Sequence, residues 1–541
     1  MRRTIQNRLF IGLLCGGTIC SSVLKAQTDE RGWKDIDFVR QSNAWLTSEN
    51  ASGLKDLSVD KISNVELFFD KENGKFVNYY QSDNLYRLGA EIESFYRLNP
   101  RIVLYGKMNY AVSEGKNMGG TAFINPDYNP FQLVELADSS SRGNKKRESY
   151  HLAGAISVAF TERLTLGGKL DYLAENFAKH RDVRHKNTLL DMLATVGLRY
   201  KFSDFLTVGV NAAYRRSVEG ITFNTYVGSE LPFYTLVGFG SFYGRSEVLS
   251  TSSGYAEQNS EKPMVNNFTG GDMQIALTFN ENLSLFNELS YKSRSGYYGK
   301  RGNTSVTYSE HEGDVSGYKG TLLFRQAKNK HILSAQIESE SLNNFEKIFK
   351  YETEQGGSTQ VIYHGRSEMM KRDVLTAGID YTAYLSIEND NPVWELTAGA
   401  DYFSREQTTS IYPFFRKQDI YQYTTYVCAT KNLVKNKNRY SLSLGLNYGS
   451  GGGTAKKDGV YATPSDKQET PVSMDKLLYH EFEYLTASRF GGLLGVRYSR
   501  IFENGIQGFA ALNYHLTSAQ ELSYIEGKTA QQIEIKIGCS F

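Results

Sequence analysis

The sequence predicts an all-β protein, a single transmembrane antiparallel up-and-down β-barrel of about 18 strands. Three observations predict this fold class. Segments that alternate apolar and polar residues recur along the chain, short and long connections alternate between them, and the chain itself ends on such a segment. Gly is common (49) and Pro scarce (9) among 541 residues, which suits strands and tight turns. Counts of about 16 or 14 strands remain alternatives if some hairpins belong to loops.

The chain begins with a predicted signal peptide, residues 1–26. A basic start precedes an apolar stretch with small residues, and LKAQ offers cleavage near Ala26. A membrane anchor helix is the alternative, but the stretch is short and interrupted by Gly, Thr and Ser. We therefore expect an exported protein with an N-terminal periplasmic segment, 27–60, followed by a barrel, 61–541.

Charge and cysteine content exclude several classes of function. The formal net charge is only +2 and no basic stripe stands out, so we expect no nucleic-acid partner. After the signal peptide only Cys428 and Cys539 remain, too few for a disulfide framework and without metal-type spacing. His180 and His185 have no carboxylate or Cys partner at a metal-binding spacing. We therefore expect neither a metal nor a cofactor.

The alternating segments carry the prediction of strands. In 163–172, 192–202, 394–402 and 440–448, apolar residues occupy one parity and polar residues the other. A period of two residues is the pattern of a strand with one apolar and one polar face. In lipid every backbone polar group must be paired, so a closed sheet with an apolar outside and a polar lumen explains how a chain of mean hydropathy −0.44 crosses a membrane.

The connections between these segments alternate in length. Short turns are expected at 99–100, 161–162, 203–204, 280–282, 328–330, 389–392, 435–438 and 503–504. Long polar segments are expected at 114–147, 176–186, 218–269, 345–370 and 449–478. A soluble sandwich has no reason to keep its short turns at one end, whereas a transmembrane barrel has short periplasmic turns and long extracellular loops. Both termini then lie in the periplasm.

The last ten residues are QIEIKIGCSF. Ile533, Ile535 and Ile537 share one parity, and the chain stops at Phe541. This ending resembles the carboxy-terminal assembly signal of Gram-negative outer-membrane barrels, and the whole mature chain is similar to large porin-like barrel families of unassigned function. The resemblance implies the cell outer membrane as location, with outer-membrane lipid, lipopolysaccharide and the barrel-insertion machinery as partners. The final strand is expected to close against 65–69.

The stretch before the first strand is a candidate hatch. NAWLTSENASGL is apolar at Trp45, Leu46 and Leu54 and otherwise small and polar. One interpretation is a short hatch folded into the lumen, which loosely resembles that of the fatty-acid channel family. The alternative is an ordered periplasmic tail that seals the barrel floor. A plug domain of the TonB-dependent receptor type is not expected, because about 35 residues are too few for a domain.

The segment LPFYTLVGFGSFYGR is unusually apolar for a predicted outer loop. Apolar runs of this kind either bury themselves or bind something. It is therefore a candidate constriction of the lumen, with an extracellular hairpin that packs on its neighbours as the alternative. The candidate constriction residues are Phe233, Tyr234, Phe239, Phe242 and Tyr243.

Taken together, the pattern favours a channel or transporter for a small or apolar solute. Predicted luminal positions carry both signs, Glu395 and Arg497 among them, so strong ion selectivity is not expected. Basic clusters at 142–147, 179–186 and 300–301 are expected in outer loops, where lipopolysaccharide phosphates would attract them. No GxSxG or HExxH motif is present, and we predict no enzyme activity. The rival hypothesis is a non-conducting scaffold that binds protein partners through its extracellular loops.

Overall fold

The computed structural model describes residues 32–41, 43–136, 142–225, 233–249, 253–353, 359–388 and 391–541. The predicted signal peptide lies outside these ranges. The strands are β1 (Lys61–Gly74), β2 (Asn84–Asn99), β3 (Ile102–Met118), β4 (Gln132–Leu136), β5 (Gly143–Ala159), β6 (Leu164–Lys179), β7 (Arg184–Lys201), β8 (Leu206–Asn224), β9 (Tyr234–Gly238), β10 (Tyr243–Val248), β11 (Lys262–Asn280), β12 (Leu283–Gly299), β13 (Thr307–Gln326), β14 (Asn329–Thr353), β15 (Thr359–Glu388), β16 (Asn391–Ile411), β17 (Phe414–Lys435), β18 (Asn438–Val460), β19 (Val472–Ser473), β20 (Arg489–Ile501), β21 (Gln507–Ala519) and β22 (Thr529–Ser540).

Eighteen of these strands form one closed antiparallel sheet in the described part of the chain, and the predicted fold class is confirmed. Closure joins the last strand to the first: β22 pairs with β1, with Leu67 opposite Ile537. Phe541 exchanges two backbone hydrogen bonds with Ser63, at 2.9 and 3.0 Å. Because the sheet closes on itself, it has no free edge inside the membrane.

The two faces of the barrel differ in polarity as the alternation predicts. Leu444 and Leu446 on β18 are 56% and 68% exposed on the outside, whereas Ser443 points inward and its hydroxyl bonds that of Thr430 at 2.8 Å. Leu and Val residues of the other strands continue this exposed apolar belt. A belt of this extent on a closed sheet is the surface of a transmembrane barrel. None of the helices in the described ranges has the length and apolar character needed to cross a membrane.

The connections alternate in length, with differences from the expected loops. Turns of two to five residues lie at the end that carries the termini, and the longest connections, 225–261 and 461–488, lie at the other. Most of 345–370 is strand, because β14 and β15 continue well past the apolar belt. The outer connection from β16 to β17 is only Tyr412 and Pro413. Beyond the membrane the outward face of a strand needs no apolar residues. A strand that continues there therefore lacks the alternating pattern, and its sequence predicts a polar loop.

Two elements occupy the ends of the barrel. At the end with the termini, residues 33–57, which we call the N-terminal segment, contain helix α1 (Ile36–Gln41) and two 3-10 turns, Ala44–Thr47 and Ala51–Asp56. At the opposite end, β19, β10, β9 and β4 form a small sheet in that order, and helix α2 (Asp475–Thr486) follows β19. We call this sheet and α2 the cap.

Candidate functional site

The second 3-10 turn of the N-terminal segment docks on the inner wall formed by β5, β6 and β7. Asn50 is fully buried and its side-chain amide donates to Leu198 O at 3.1 Å and to Gln274 Oε1 at 2.8 Å. Ser157 on β5 donates from its hydroxyl to Ser52 O at 3.0 Å. The turn is therefore held by hydrogen bonds to buried polar groups of the wall rather than by packing alone.

Glycines of the wall make this close approach feasible. A Cβ at Gly167 would collide with the backbone of Ser52, and one at Gly197 would collide with the Asn50 side chain. Residues without a side chain are the ones that let two backbones come this near. The turn thus fits a groove that the sequence of β6 and β7 leaves open for it.

An ion pair and a stacked ring fix the same turn. Arg199 forms a two-pronged bond to Asp56, with Nη1–Oδ2 at 2.5 Å and Nη2–Oδ1 at 2.8 Å. The guanidinium also lies 5.1 Å from the ring centroid of Trp45, which meets Phe286 edge-on at 5.0 Å. Trp45, a predicted hatch residue, therefore contacts inward-facing side chains of β7 and β12.

Leu46 and Leu54, the other two predicted hatch residues, lie in an apolar cluster near the barrel floor. Both are buried, and they pack with Phe95 and Val103 of the wall. The structure thus brings all three predicted hatch residues into the lumen; whether the segment opens as a hatch stays a prediction.

A polar chamber of 480 Å³ lies beside α1. Its walls come from α1 on one side and from the inward faces of β1 to β3, β15 to β18 and β20 to β22 on the other. Small residues line the β17–β20 wall, where larger side chains would fill the space: Thr430, Ser441, Ser443 and Gly495.

Most charges of the chamber are matched inside it. Arg40 pairs with Asp37 at 3.0 Å and also with Glu93, and Lys107 pairs with Glu91 at 2.9 Å. Further pairs join Arg439 to Asp35 at 3.5 Å and Lys536 to Glu66 at 4.0 Å. Opposite charges this close largely neutralise each other, but Arg40 is shared by Asp37 and Glu93, so these pairs together carry one negative charge in excess.

Two charged side chains of the chamber stand apart from these pairs. Within the described ranges, the Glu395 carboxylate has no hydrogen-bond partner and joins no ion pair, although Asp35, Asp37 and Arg439 lie near enough to act on it. Arg497 likewise joins no ion pair; its guanidinium lies 4.1 Å from the Phe509 ring centroid, and its buried Nε has no hydrogen-bond partner. Both were predicted as luminal, but their common chamber follows only from the register of β16, β18 and β20.

A second cavity, of 470 Å³, lies on the other side of the N-terminal segment. Trp45 and Asp56 line it from the segment, and Arg199 lines it from the wall. Glu281 and Arg325, near the short turns, also border it. The N-terminal segment therefore separates two polar spaces at the periplasmic end of the lumen.

The predicted constriction residues lie in and next to the cap. Phe239 and Phe242 are fully buried, and Phe242 meets Tyr79 edge-on with ring centroids 4.9 Å apart. Phe233 is partly buried against the cluster that contains Phe239, whereas Tyr234 is 40% exposed. The apolar run thus forms the cap's own core, and its role as a constriction stays a prediction.

Arg416 on β17 anchors the cap to the wall. Its guanidinium lies 4.4 Å from the Tyr243 ring centroid and donates to Ser241 O at 3.1 Å. It also forms a two-pronged pair with Asp458 of β18, at 2.6 and 2.8 Å. Tyr243 is thereby fixed against the inward face of the barrel.

Helix α2 of the cap was not expected, because 449–478 was interpreted as a polar loop. Its buried Glu481 pairs with Arg405 of β16 at 3.0 Å, and its Leu478 packs on Phe242. The repeat of Leu478, Phe482 and Leu485 at helical spacing was the signal that could have revealed it.

His480 of α2 contacts the connection between β1 and β2. Burial lowers the pKa of His480, so its neutral ring donates to Val77 O at 2.8 Å.

The basic clusters at 142–147 and 179–186 are only partly on the surface. Lys145 and Lys179 are buried and both pair with Glu135, the first at 3.3 Å. These two lysines hold the cap to the wall and are not available to lipopolysaccharide phosphates, because a buried ammonium needs its partner. In the described ranges, no cluster of three or more His, Cys, Asp or Glu residues has a metal-binding arrangement.

The closed sheet, its apolar belt and its covered polar lumen define the class of the protein, a transmembrane β-barrel. The chain belongs to a family of unknown function, DUF6850, whose profile matches residues 51–541. A search of curated proteins finds no significant match.

Solved structures with similarity to the chain include receptors and a channel. The ferric preacinetobactin receptor BauA from Acinetobacter baumannii aligns over 89% of this chain and 79% of its own, at 8% identity and a TM-score of 0.40. The iron transporter FrpB from Neisseria meningitidis aligns over 91% and 83%, at 10% identity and a TM-score of 0.35. A mutant of the monoaromatic hydrocarbon channel TodX aligns over 91% and 92%, at 11% identity and a TM-score of 0.31. Similarity this distant assigns no substrate.

Proposed function

We propose that this protein is an outer-membrane channel or transporter for a small polar solute. In the state described here the N-terminal segment covers the periplasmic end of the lumen and the cap covers the other. The solute passes through the polar chamber when the N-terminal segment withdraws. The basic, apolar and small-residue order of residues 1–26 supports export, and the apolar belt supports insertion in a membrane.

The observation that carries the proposal is the chamber beside α1. A filled barrel would place bulky side chains there, yet 480 Å³ remains free between α1 and a wall of Ser, Thr and Gly. Barrels of about 16–18 strands are wide enough for an aqueous channel unless something occupies them. A polar solute is favoured over an apolar one, because the chamber is lined mainly by polar and charged residues, whereas the apolar run around Phe239 is buried in the cap's core.

Planar bilayers test the proposal directly. We expect the mature protein to conduct rarely, and a variant that lacks residues 33–57 to conduct more often, in steps whose size is limited by the cap at the other end. Refolding to a heat-modifiable barrel, judged by migration on gels, is the control that both proteins are inserted. If the truncated barrel inserts and still passes neither ions nor small sugars, the proposal is wrong.

One observation favours the rival scaffold function. The β14–β15 hairpin extends beyond the apolar belt, and near its tip Ile348 and Tyr351 are 53% and 51% exposed. Apolar side chains on a protruding hairpin suit a protein partner. The scaffold function predicts that the full chain captures a stoichiometric outer-membrane partner and that changing both residues to Ser abolishes this capture. The scaffold function does not predict conduction by the truncated barrel.

A further inference from the structure

We propose that the chamber binds a zwitterionic solute of the size of a short peptide, with Glu395 facing its ammonium group and Arg497 its carboxylate. The site rests on the proposed function, since a solute reaches it only when the lumen admits one. Every other charged side chain that lines the chamber takes part in an ion pair, with Arg40 shared between Asp37 and Glu93, so Glu395 and Arg497 are the two charged groups outside these pairs in the described ranges. A molecule that carries both charges can pair with each of them, which a simple anion or cation cannot do.

The register of the wall sets the distance between the two groups. Glu395 on β16 pairs with Thr430, Thr430 pairs with Ser443, and Ser443 pairs with Gly495, two residues before Arg497. Three strand spacings of about 4.8 Å place the backbones of Glu395 and Gly495 about 14 Å apart across the wall, and Arg497 lies two residues further along β20. Both side chains extend into the chamber from opposite ends of this row, and an extended peptide covers about 3.5 Å per residue. An extended peptide of about four residues would span the backbone separation, and the reach of the two side chains shortens the peptide that is needed, so a short peptide suits the site.

The surface between the two charged groups suits a peptide backbone. Thr430 and Ser443 present hydroxyls there, and Gly495 leaves space where a side chain would intrude. Hydroxyls donate to and accept from amide groups without adding charge. The row thus offers polar contacts along the length of the solute and charged contacts at its ends.

Arg497 is suited to a carboxylate because it forms no ion pair in the described ranges; Asp37 and Glu66 act on it only from a distance. Its guanidinium rests on Phe509, which holds the plane in place, while the fork geometry that matches a carboxylate stays free of any ion pair. Because α1 forms the facing wall, with Asp37 and Arg40 lining the same chamber, a bound peptide also contacts the N-terminal segment.

Calorimetric titration of the refolded full chain tests the site with four probes. Dialanine and trialanine carry both end charges; dialanine amide lacks the carboxylate, and N-acetyl-dialanine lacks the ammonium group. We expect dialanine or trialanine to bind, and removal of either end charge from dialanine to weaken binding about tenfold or more. Failure of both peptides to bind, or equal binding of the charged and capped forms, would overturn the proposal.

Variants assign each end of the ligand to its residue. In Arg497→Gln, dialanine should bind as weakly as dialanine amide, and dialanine amide itself should lose nothing further. Glu395→Gln should behave in the same way toward N-acetyl-dialanine. Arg325→Gln and Glu281→Gln are matched controls, because they remove the same charges from the second cavity and should leave binding unchanged. Heat-modifiable migration of all four variants excludes misfolding as the cause.

Sugar flux through liposomes separates this proposal from the proposed function. If the truncated barrel passes sugars while neither peptide binds the full chain, the channel stands and the ligand class is wrong. If no barrel passes any solute but dialanine binds with the expected dependence on its end charges, the ligand class stands and the transport function is wrong. Binding that Arg497→Gln and Glu395→Gln leave unchanged places the peptide elsewhere and overturns the site.

Discussion

Asp56→Asn tests whether the N-terminal segment is a removable cover. The carboxylate makes two bonds to Arg199, whose guanidinium also stacks on Trp45, so one side chain ties the end of the segment to the wall of β7. The amide of Asn keeps the size of the side chain but loses the charge and one of the two acceptor oxygens. The Arg199 guanidinium is then left in a largely buried place without its counter-ion.

The magnitude follows from the geometry. A hydrogen-bonded pair with ionised partners contributes about 1.5–3 kcal/mol, and this pair is two-pronged with the guanidinium mostly buried. A loss of about 2 kcal/mol shifts an equilibrium about 30-fold. As long as the docked segment dominates, the undocked population should rise by that factor, because the bond exists only in the docked state.

Single-channel recording measures this directly as open probability. Asp204→Asn is the matched control: it makes the same chemical change in the pair with Lys201, at a fully exposed turn, and should leave the open probability unaltered. The double exchange Asp56→Arg with Arg199→Asp restores an ion pair and should restore closure. An Asp56→Asn channel that opens no more often than the wild type, with folding intact, would refute the view of the segment as a gate.

Three further predictions concern the barrel itself. Leu444→Arg should destabilise the barrel by about 2–4 kcal/mol in lipid, because the charge enters hydrocarbon. The neighbouring Ser443→Arg faces the chamber and should change the free energy of unfolding little. Urea titration of both variants in vesicles measures the difference. Arg416→Met removes the bonds to Ser241 and Ser473 of the cap, so it should weaken the attachment of the cap by about 2 kcal/mol and expose the cap to limited proteolysis, while the folded barrel persists. Phe541→Ala keeps its backbone bonds to β1, so refolding in detergent should be unchanged while insertion in cells falls; equal insertion would remove Phe541 as an assembly signal.

Much of the fold could be predicted because the membrane imposes a rule on each strand. Within the belt, every second residue of a strand faces lipid and must be apolar. Leu444 and Ile537 stand at such positions in the sequence, and both are exposed on the outside of the barrel. Outside the belt the rule lapses. Around Ile348 the strands of the β14–β15 hairpin continue with apolar and polar residues mixed on both faces, so the sequence does not show the ladder that the structure has.

The site could be predicted only in part. Parity places Glu395 and Arg497 in the lumen, and the apolar residues of the N-terminal segment mark it as something other than a plain linker. Whether the two charges lie in one chamber depends on the pairing register across β16, β17, β18 and β20. No local sequence pattern shows which residues of these strands lie opposite one another. Likewise, the burial of Lys145 depends on Glu135, which lies in β4 of the cap, and no local pattern shows that this strand folds back over β5.

The two covers differ in a way that indicates which one moves. The cap's apolar core joins residues from several outer connections and barrel strands, such as Phe131, Phe223, Tyr255 and Tyr298, so removing the cap requires all of these to separate at once. The N-terminal segment is one continuous stretch with a smaller apolar cluster, and its tightest contacts, at Asn50 and Asp56, are polar groups that water can satisfy after withdrawal. Its departure breaks no barrel pairing and merges the chamber with the second cavity. We therefore expect gating to begin at the periplasmic end, with the cap changing less.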